Sequence, residues 1–394
     1  MLIKEKVAQA VNILKEFNID CWVTFVRESS INGDPSLDYL IASAVTWHSA
    51  FIITSKGDTY AIVGKYDKQA VADLGVYKTV ISHITGLREP FHDVLKKINP
   101  SKIAVNFSKD SEIADGLTHG MYLTLVELLS EIGMQDRLIS SEKVVSALRQ
   151  RKTETELSLI KEAIRATLQI YDESFEFIKP GKTEAEVAAF IRSRIDARKL
   201  GYAWDPSTCP SVFSGPDTAE AHYAPTERKV QEGHVLNMDF GVKYNAYCSD
   251  LQRTVYILKK GETKAPPEVQ KGFDTIVKSI EESRKAMKPG ALGKDIDAVS
   301  RKVLADNGFQ EYPHALGHQV GRFAHDGTAL LGPAWEKYGA KPFLPLEAGM
   351  VFTLEPRLTV PERGIATIEE MVVVTDTGAE YLSAPQKNLV LIHS

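Results

Sequence analysis

The stretch Asn237–Thr254, NMDFGVKYNAYCSDLQRT, carries two aspartates, Asp239 and Asp250, eleven positions apart. Apolar or β-prone residues flank a turn-like centre at Tyr244–Asn245, which is typical of a β-hairpin. With those two residues as the loop, paired positions sum to 489 and Asp239 lies directly opposite Asp250 on one face of the sheet. Like charges directly opposite one another destabilise a strand pair. The stretch therefore indicates either a different register or a positive charge between the two carboxylates.

An internal repeat extends this argument to a second pair of acids. Two segments open with an apolar residue and Lys-Pro-Gly, continue with a helical pattern and end at a glycine: IKPGKTEAEVAAFIRSRIDARKLG (Ile178–Gly201) and MKPGALGKDIDAVSRKVLADNG (Met287–Gly308). In each copy a later glycine precedes an acid by six residues, Gly233 before Asp239 and Gly349 before Glu355. Two landmarks in the same order favour a duplication over a chance match.

A second acid follows in each copy, Asp250 in the first and Glu369 or Glu370 in the second. Neighbouring strand residues point to opposite faces, so alternation alone leaves both glutamates open. Four converging carboxylates repel strongly unless cations neutralise them. Carboxylates with at most one imidazole suit Mn²⁺, Fe²⁺, Co²⁺ or Zn²⁺, and two ions about 3.5–4 Å apart form the usual clamp for metal-assisted hydrolysis. The repeat predicts such a site; the alternative is four solvent-facing or surface-paired acids.

Three histidines lie within twelve residues in YPHALGHQVGRFAHDG, namely His314, His318 and His325. The spacing of the first two would suit a metal-binding pair on a helix, but Pro313, Gly317 and Gly321 argue against a regular helix. A single histidine is usually a packed or surface residue. Three in such a short segment favour a role in metal binding or catalysis.

Composition and charge limit the classes of function. The chain has 394 residues, 43% hydrophobic and 25% charged, which is typical of a soluble globular protein with two or three domains. Its 47 basic and 52 acidic residues give a net charge of −5, so we expect no attraction to nucleic acid or to membrane lipid. Cys21, Cys209 and Cys248 form no CxxC pair, which favours a reducing compartment. The N-terminal pattern fits an amphipathic helix better than a signal peptide, and together these features predict a cytoplasmic protein.

The chain is expected to contain two domains. Residues up to about 140 alternate β-like runs (CWVTFV, SAFIIT, TYAIVG, KTVIS, KIAVNF) with helical patterns, which predicts an α/β domain. Thr153 with Glu156 three residues later forms a capping-box pattern, so a new helix is expected to start there. We place the domain boundary just before it, between residues 145 and 146.

At this point the chain resembles the pita-bread metallopeptidases, a family that includes Xaa-Pro aminopeptidases, Xaa-Pro dipeptidases (prolidases), methionine aminopeptidases and creatinase. The resemblance covers essentially the whole chain. It implies an α/β N-terminal domain of the creatinase type (1–145) plus an α+β pita-bread catalytic domain with an internal pseudo-two-fold repeat (146–394). Five motifs in the family's order, MDFG, CSDLQRT, GHQVG, TLEP and IEEMVVVT, imply the metal ligands Asp239, Asp250, His318, Glu355 and Glu369.

The resemblance also implies an activity. The implied activity is that of a dinuclear metal-dependent hydrolase that removes the N-terminal residue of short peptides, with proline after the cleaved bond as the first expectation. Mn²⁺ is the expected metal, with Co²⁺, Zn²⁺ or Fe²⁺ as alternatives, and a homodimer is the expected assembly. Glu355 is implied as the proton carrier, and His222 in AEAHYAP, His325 and His314 are implied as catalytic and substrate-binding groups.

Three positions depart from the family pattern: Gln319 where glycine is usual, Asp326 where glutamate is common, and Thr367 where an arginine often stands. The sequence offers Arg322, Arg357 or Arg363 as replacements for the missing cation and does not choose among them. The alternatives to a peptidase are a creatinase-like amidinohydrolase and a catalytically silent pita-bread binding protein. Methionine aminopeptidases typically lack the large N-terminal domain, which disfavours that branch.

Overall fold

A computed structural model describes residues 2–217 and 224–393. The chain divides into two compact units, 1–149 and 150–394. The boundary expected from the sequence, between residues 145 and 146, falls within the helix Glu142–Gln150 and stays a prediction. None of the described helices has the length and apolarity needed to cross a membrane.

The first unit is a six-stranded sheet covered by helices on both faces. Its elements are α1 (Leu2–Glu16), β1 (Cys21–Val26), β2 (Ser49–Thr54), β3 (Thr59–Gly64), α2 (Lys68–Asp73), β4 (Thr79–His83), α3 (Arg88–Ile98), β5 (Ile103–Val105), α4 (His119–Ser130), β6 (Leu138–Ser140) and α5 (Glu142–Gln150). The strand order is β4-β3-β2-β1-β5-β6, and β2 runs antiparallel to both of its neighbours. The expected α/β domain is thus confirmed.

Strand alternation explains how this sheet supports two cores. In β1, Trp22 and Val26 belong to the cluster that packs with α1 and α5. Cys21, Val23 and Phe25 belong to the cluster that packs with α3 and α4. Because successive side chains point to opposite faces, a run that is apolar throughout can bury both faces at once. The sequence runs predicted β1 to β5; β6 has three residues and was not predicted.

The second unit contains two copies of a helix pair followed by strands. Its elements are α6 (Glu154–Phe177), α7 (Glu184–Ala197), β7 (Gly201–Tyr202), β8 (Ser211–Ser214), β9 (Val235–Phe240), β10 (Val242–Tyr244), β11 (Tyr247–Cys248), β12 (Leu251–Ile257), α8 (Pro267–Ala286), α9 (Gly293–Asp306), β13 (Val351–Leu354), β14 (Arg357–Val360), β15 (Gly364–Thr367), β16 (Glu370–Val374), β17 (Ala379–Tyr381) and β18 (Val390–Ile392). The predicted capping box is present at the start of α6, where Thr153 and Glu156 each bond the other's backbone N–H.

The two copies share local backbone conformation as well as sequence. Gly181 and Gly290, the glycines of the two Lys-Pro-Gly turns, have φ values of 90° and 86°. Gly233 and Gly349, which precede the acid-bearing strands, have φ values of 82° and 87°. Only glycine adopts such angles without strain, so the matched glycines mark matched turns.

The strands of the two copies meet beside the acids. One sheet has the order β18-β12-β9-β8 and a second has the order β13-β16-β17, while further strands pair as β11-β10-β7 and β14-β15. The first two sheets are joined by an antiparallel bridge between Gln252 and Glu369, in which the Glu369 N–H donates to the Gln252 carbonyl at 3.1 Å. This junction brings the acid-bearing strands of both halves together.

The hairpin in the opening stretch has a different register from the predicted one. Lys243 pairs with Cys248 and Tyr244 with Tyr247, so the loop is Asn245–Ala246, one position later than expected. Both loop residues have positive φ (44° and 70°), as a type I′ turn requires. Asp239 therefore pairs with Gln252 rather than with Asp250. A shift of two in the pairing leaves every side chain on its original face, so the two aspartates still share a face, diagonally.

Candidate metal centre

The first two acids lie on strands that approach closely. Asp239 lies near the end of β9, and Asp250 directly precedes β12. Between them, a Cβ atom on Gly241 would lie 1.9 Å from the Ser249 carbonyl oxygen, so only glycine permits this spacing. The Asp239 Oδ1 atom is buried and has no hydrogen-bond partner. An orphaned carboxylate oxygen of this kind indicates a missing cation or donor.

The other two acids face one another across the second sheet. In the β13–β16 ladder Leu354 pairs with Glu370, and one step beyond it the same register places Glu355 opposite Glu369. The Gln252–Glu369 bridge and the Asp239–Gln252 pair then connect this site to the first two acids. The register of the second copy thus leads to the opposition of like charges that the sequence suggested in the first, just beyond the ends of β13 and β16.

His318 lies among the acids. Its Nε2 atom is 3.5 Å from Glu355 Oε1, 3.8 Å from Asp250 Oδ2 and 4.0 Å from Glu369 Oε1. Asp250, His318 and Glu369 offer ligand atoms that all lie within 4.8 Å of one another. Thr353 holds the histidine from β13, because its N–H donates to the His318 carbonyl at 2.9 Å and its hydroxyl accepts from the His318 N–H at 3.1 Å.

Burial raises the pKa of every acid in this group, and neighbouring carboxylates raise it further for Asp250, Glu355 and Glu369. Burial raises the pKa of Asp239 to about 7, and burial together with the charge of Asp239 raises the pKa of Glu355 to about 8. Asp250 and Glu369 have a pKa well above the ordinary range, chiefly from burial and then from the neighbouring carboxylates. Four closely spaced carboxylates and one imidazole, in a site where the ionised carboxylates are this unfavourable without a counter-charge, fit a site for divalent cations.

The two adjacent glutamates have separate environments. Glu369 faces the acid group, whereas the buried Glu370 carboxylate pairs with Arg253, with its Oε1 atom 3.1 Å from the Arg253 Nη1. Glu370 also accepts hydrogen bonds from the Ser383 hydroxyl at 2.5 Å and the Gln386 N–H at 2.7 Å. Of the two acids that alternation left open, Glu369 is the one in position to bind a metal.

The remaining histidines differ in placement. The exposed His325 ring packs edge-on against the His318 ring, with 4.1 Å between centroids. The half-buried His314 ring packs against Tyr312 at 4.9 Å, and its Nδ1 lies 2.8 Å from the Ala315 carbonyl oxygen. Burial and nearby cations, Arg357 first among them, lower the pKa of His314 to about 4, so its imidazole is neutral. His222 lies outside the described residues.

Two of the departures from the family pattern support the loop that carries His325. The buried Gln319 side chain donates to Gln150 Oε1 at 2.8 Å and to the Ala329 carbonyl at 3.2 Å. The buried Asp326 carboxylate accepts from the Arg322 N–H at 2.7 Å. Both residues thus contribute to the scaffold behind the site.

The third departure from the family pattern, Thr367, pairs with an arginine on the neighbouring strand. Thr367 donates its hydroxyl to Gln252 Oε1 at 2.8 Å. Arg357 lies directly opposite Thr367 in the β14–β15 ladder and two residues after Glu355. Arg363 instead pairs with Glu268 at 3.0 Å, and Arg322 packs against the Tyr247 ring at 5.6 Å. Of the three candidate arginines, Arg357 is therefore the one that pairs with the position of the missing cation.

One supporting residue was not found from the sequence. The hydroxyl of Tyr171, in α6, lies 2.9 Å from the Met238 carbonyl oxygen and 2.6 Å from that of Leu251. These carbonyls belong to the residues next to Asp239 and Asp250, so the tyrosine ties the two aspartate strands together. A tyrosine at an apolar position of a long helix carries no sequence signal that separates this role from ordinary packing.

Comparison with known proteins places the chain in a family. The model of metallopeptidase family M24 matches residues 158–376. An uncharacterised peptidase of Staphylococcus saprophyticus is 30% identical over 275 residues, which span 69% of this chain and 74% of the relative. The Xaa-Pro dipeptidase of Pyrococcus furiosus is 27% identical over 296 residues, 73% of this chain and 80% of that protein. The crystal structure of dipeptidase PepE from Mycobacterium ulcerans matches 100% of this chain and 98% of its own with a TM-score of 0.71 at 26% identity. The chain belongs to metallopeptidase family M24.

Proposed function

We propose that this protein is a metal-dependent exopeptidase that removes the N-terminal residue of short peptides, with Xaa-Pro dipeptides as the preferred substrates. The observation that carries the proposal is the convergence of three acids around His318 Nε2, each within 4.0 Å. The related Xaa-Pro dipeptidase from Pyrococcus furiosus supports the substrate class.

The proposed ligands are Asp239, Asp250, His318, Glu355 and Glu369, which would hold two divalent ions, Mn²⁺ in the first place and Co²⁺, Zn²⁺ or Fe²⁺ as alternatives. When bound, such ions supply Lewis-acid polarisation of the substrate carbonyl and a water whose pKa falls towards neutrality. The acids fit this role because Asp250 and Glu369 are buried, Asp239 and Glu355 are half-buried, and carboxylates this close together repel one another unless a cation lies between them.

Glu355 is the proposed proton carrier. Its carboxylate follows β13, and its Oε1 accepts a hydrogen bond from the Thr353 hydroxyl at 3.3 Å. A carboxylate held there can take a proton from the attacking water and deliver it to the leaving amine. We propose His325, His314 and His222 as hydrogen-bonding groups for the scissile carbonyl and the leaving amine.

Arg357 is the proposed recognition residue for the carboxylate end of the substrate. In a dipeptide the terminal carboxylate belongs to the residue next to the scissile carbonyl, and consecutive Cα atoms are only about 3.8 Å apart. Arg357 lies two residues from Glu355 and opposite Thr367, itself two residues before Glu369. Glu355 and Glu369 lie in the short links between these strands, and we propose that the two-residue spacing directs all four side chains to one side. A guanidinium there can bind a carboxylate with two parallel hydrogen bonds.

We further propose that the protein acts as a homodimer in the cytoplasm. The family resemblance supports the dimer. The cysteines support the compartment, because Cys21, Cys209 and Cys248 are all buried free thiols. Analytical ultracentrifugation of the purified protein tests the dimer, which a single species at 43.6 kDa would contradict.

A peptide panel tests the activity. Metal-stripped protein is assayed with Ala-Pro, Gly-Pro, Met-Ala and longer Xaa-Pro-Xaa peptides, with and without added Mn²⁺ or Co²⁺. We expect hydrolysis only with metal, and faster cleavage of the two proline dipeptides than of the other peptides. Hydrolysis that persists in chelator, or no hydrolysis of any peptide with either metal, would contradict the proposal.

A further inference from the structure

A buried ion pair lies in α9, away from the proposed ligands. Arg301 and Asp297 are one helical turn apart and are 8% and 1% exposed. The Arg301 Nε donates to Asp297 Oδ2 at 2.6 Å, and its Nη2 donates to Oδ1 at 3.3 Å. Buried ion pairs seldom add net stability over apolar residues of the same size, because both charges lose their hydration. We therefore look for a role of the Asp297–Arg301 pair other than stabilising the fold.

The pair binds the backbone that carries the first histidine of the motif. Arg301 Nη1 donates to the Tyr312 carbonyl at 2.9 Å, and Nη2 donates to the His314 carbonyl at 2.7 Å. Asp297 Oδ1 accepts from the Leu316 N–H at 3.1 Å. Three alternate residues of the segment Tyr312–Leu316 are thus bound by a single pair of side chains.

Aromatic rings restrict the guanidinium further. Its central carbon lies 4.3 Å from the centroid of the Tyr312 ring and 5.1 Å from that of Trp335. The Tyr312 hydroxyl in turn lies 2.7 Å from the Ser300 hydroxyl of α9. With its donors and its faces occupied, the guanidinium has one orientation, and the segment it binds is held at one distance from the helix.

The bound segment continues directly to the acid group. The Leu316 carbonyl accepts from the Glu355 N–H at 2.8 Å. His318 follows two residues later, and Thr353 binds both its backbone N–H and its carbonyl oxygen. A shift of the segment would therefore move His314 relative to Glu355. The acids themselves are held by the β-ladders and by the Gln252–Glu369 bridge.

We propose that Asp297 and Arg301 are positioning residues of the peptidase site, which hold the segment Tyr312–Leu316 so that His314 and Glu355 keep a fixed mutual geometry. This inference rests on the proposed function. It separates two properties of the site: metal binding depends on the ladders that hold the acids, whereas the position of His314 relative to Glu355 depends on α9.

The test is Arg301→Lys. Lysine keeps the charge but has no planar fork, so it cannot pair with Asp297 and also donate to both carbonyls. We expect metal stoichiometry to stay at the wild-type value, KM for Ala-Pro to change little, and kcat to fall about 100-fold, as a displacement of about 1 Å can cause. Asp297→Asn serves as a second variant, with a smaller fall in kcat expected because its Oδ1 can still accept from Leu316.

The matched control is Arg284→Lys in the adjacent helix α8. Arg284 donates to both Glu281 oxygens, at 3.0 and 2.7 Å, and to the Ala379 carbonyl at 2.6 Å. Its central carbon lies 5.1 Å from the Tyr381 ring centroid. It thus makes a similar set of contacts in a half-buried position, bound to β17 instead of to the histidine segment. We expect it to lower the thermal midpoint while leaving kcat unchanged.

The outcomes separate the inference from the function on which it rests. If kcat falls equally in Arg301→Lys and Arg284→Lys, or if the Arg301 loss is explained entirely by lost metal, the positioning role is wrong while the peptidase remains. If the wild-type protein hydrolyses no dipeptide with any of the metals, the proposed function fails and the inference fails with it.

Discussion

Single residues at the metal centre are governed by charge. Asp250 and Glu369 are buried side by side with two further acids, and burial is the first cause of the raised pKa of each. A bound cation makes the net electrostatic interaction of the group favourable, because carboxylates that repel one another all attract a cation placed between them. Each acid is therefore expected to destabilise the metal-free protein and to stabilise the metal-bound one.

The substitution Glu369→Gln tests that expectation. It should abolish Mn²⁺ binding and dipeptide hydrolysis together. It should also raise the thermal midpoint of the metal-free protein by roughly 2–4 °C, the shift produced by about 1 kcal/mol of relieved repulsion. Calorimetry in chelator and in Mn²⁺ measures both effects. Metal-dependent hydrolysis retained in this variant would refute the ligand assignment.

The neighbouring Glu370→Gln is the matched control. This substitution leaves the buried Arg253 without its carboxylate partner, which typically costs about 3–5 kcal/mol. We expect it to destabilise the protein both with and without metal while the folded fraction keeps its metal stoichiometry. Opposite effects of adjacent substitutions on the metal-free protein would follow only if the two side chains face different environments.

Recognition of the substrate carboxylate is also a property of one residue. Removing the guanidinium with Arg357→Met should lower kcat/KM for Ala-Pro by roughly 10–100-fold, because hydrogen bonds to charged groups contribute about 1.5–3 kcal/mol. The same substitution should leave kcat/KM for Ala-Pro amide unchanged, since that peptide has no terminal carboxylate. An equal loss for both peptides would show that Arg357 acts on the fold rather than on the carboxylate.

Among the structural elements, the hairpin that carries the first two acids shows what sequence patterns can and cannot specify. Alternation correctly assigned Asp239 and Asp250 to one face, because an error of two positions preserves the face. The loop was misplaced because Ala246 adopts a positive φ that its side chain does not signal. The Arg357–Thr367 pair was not foreseen, since cross-strand register depends on the turn between the strands.

The close approach of the aspartate strands gives a prediction for the same element. Gly241→Ala places a methyl group against the Ser249 carbonyl, so the strands must separate. We expect a loss of about 1–3 kcal/mol in the free energy of unfolding, together with weaker metal binding. Gly120→Ala in α4 is the control, because a Cβ there meets no atom within 4 Å. A control variant that loses as much stability would contradict this reading.

The whole molecule should respond to pH in opposite ways with and without metal. Asp239 and Glu355 have a pKa of about 7 and about 8 when folded, above the ordinary values of 3.8 and 4.5. The folded metal-free protein then binds more protons than the unfolded chain between about pH 4 and 8, so its stability falls as pH rises through that window. Metal binding requires ionised carboxylates and strengthens with pH.

Thermal midpoints measured from pH 5 to 9 in chelator and in Mn²⁺ test this. We expect the metal-free midpoint to decline with rising pH, and the increment produced by Mn²⁺ to grow. A metal-free midpoint that rises from pH 5 to 8 would indicate that the acids are ionised and compensated by other groups.

The most direct test of the central claim is anomalous X-ray diffraction from crystals of the protein grown with Mn²⁺. The account predicts two anomalous peaks about 3.5–4 Å apart, bounded by Asp239, Asp250, His318, Glu355 and Glu369. Crystals of active, Mn²⁺-loaded protein with no anomalous peak among these side chains would contradict it.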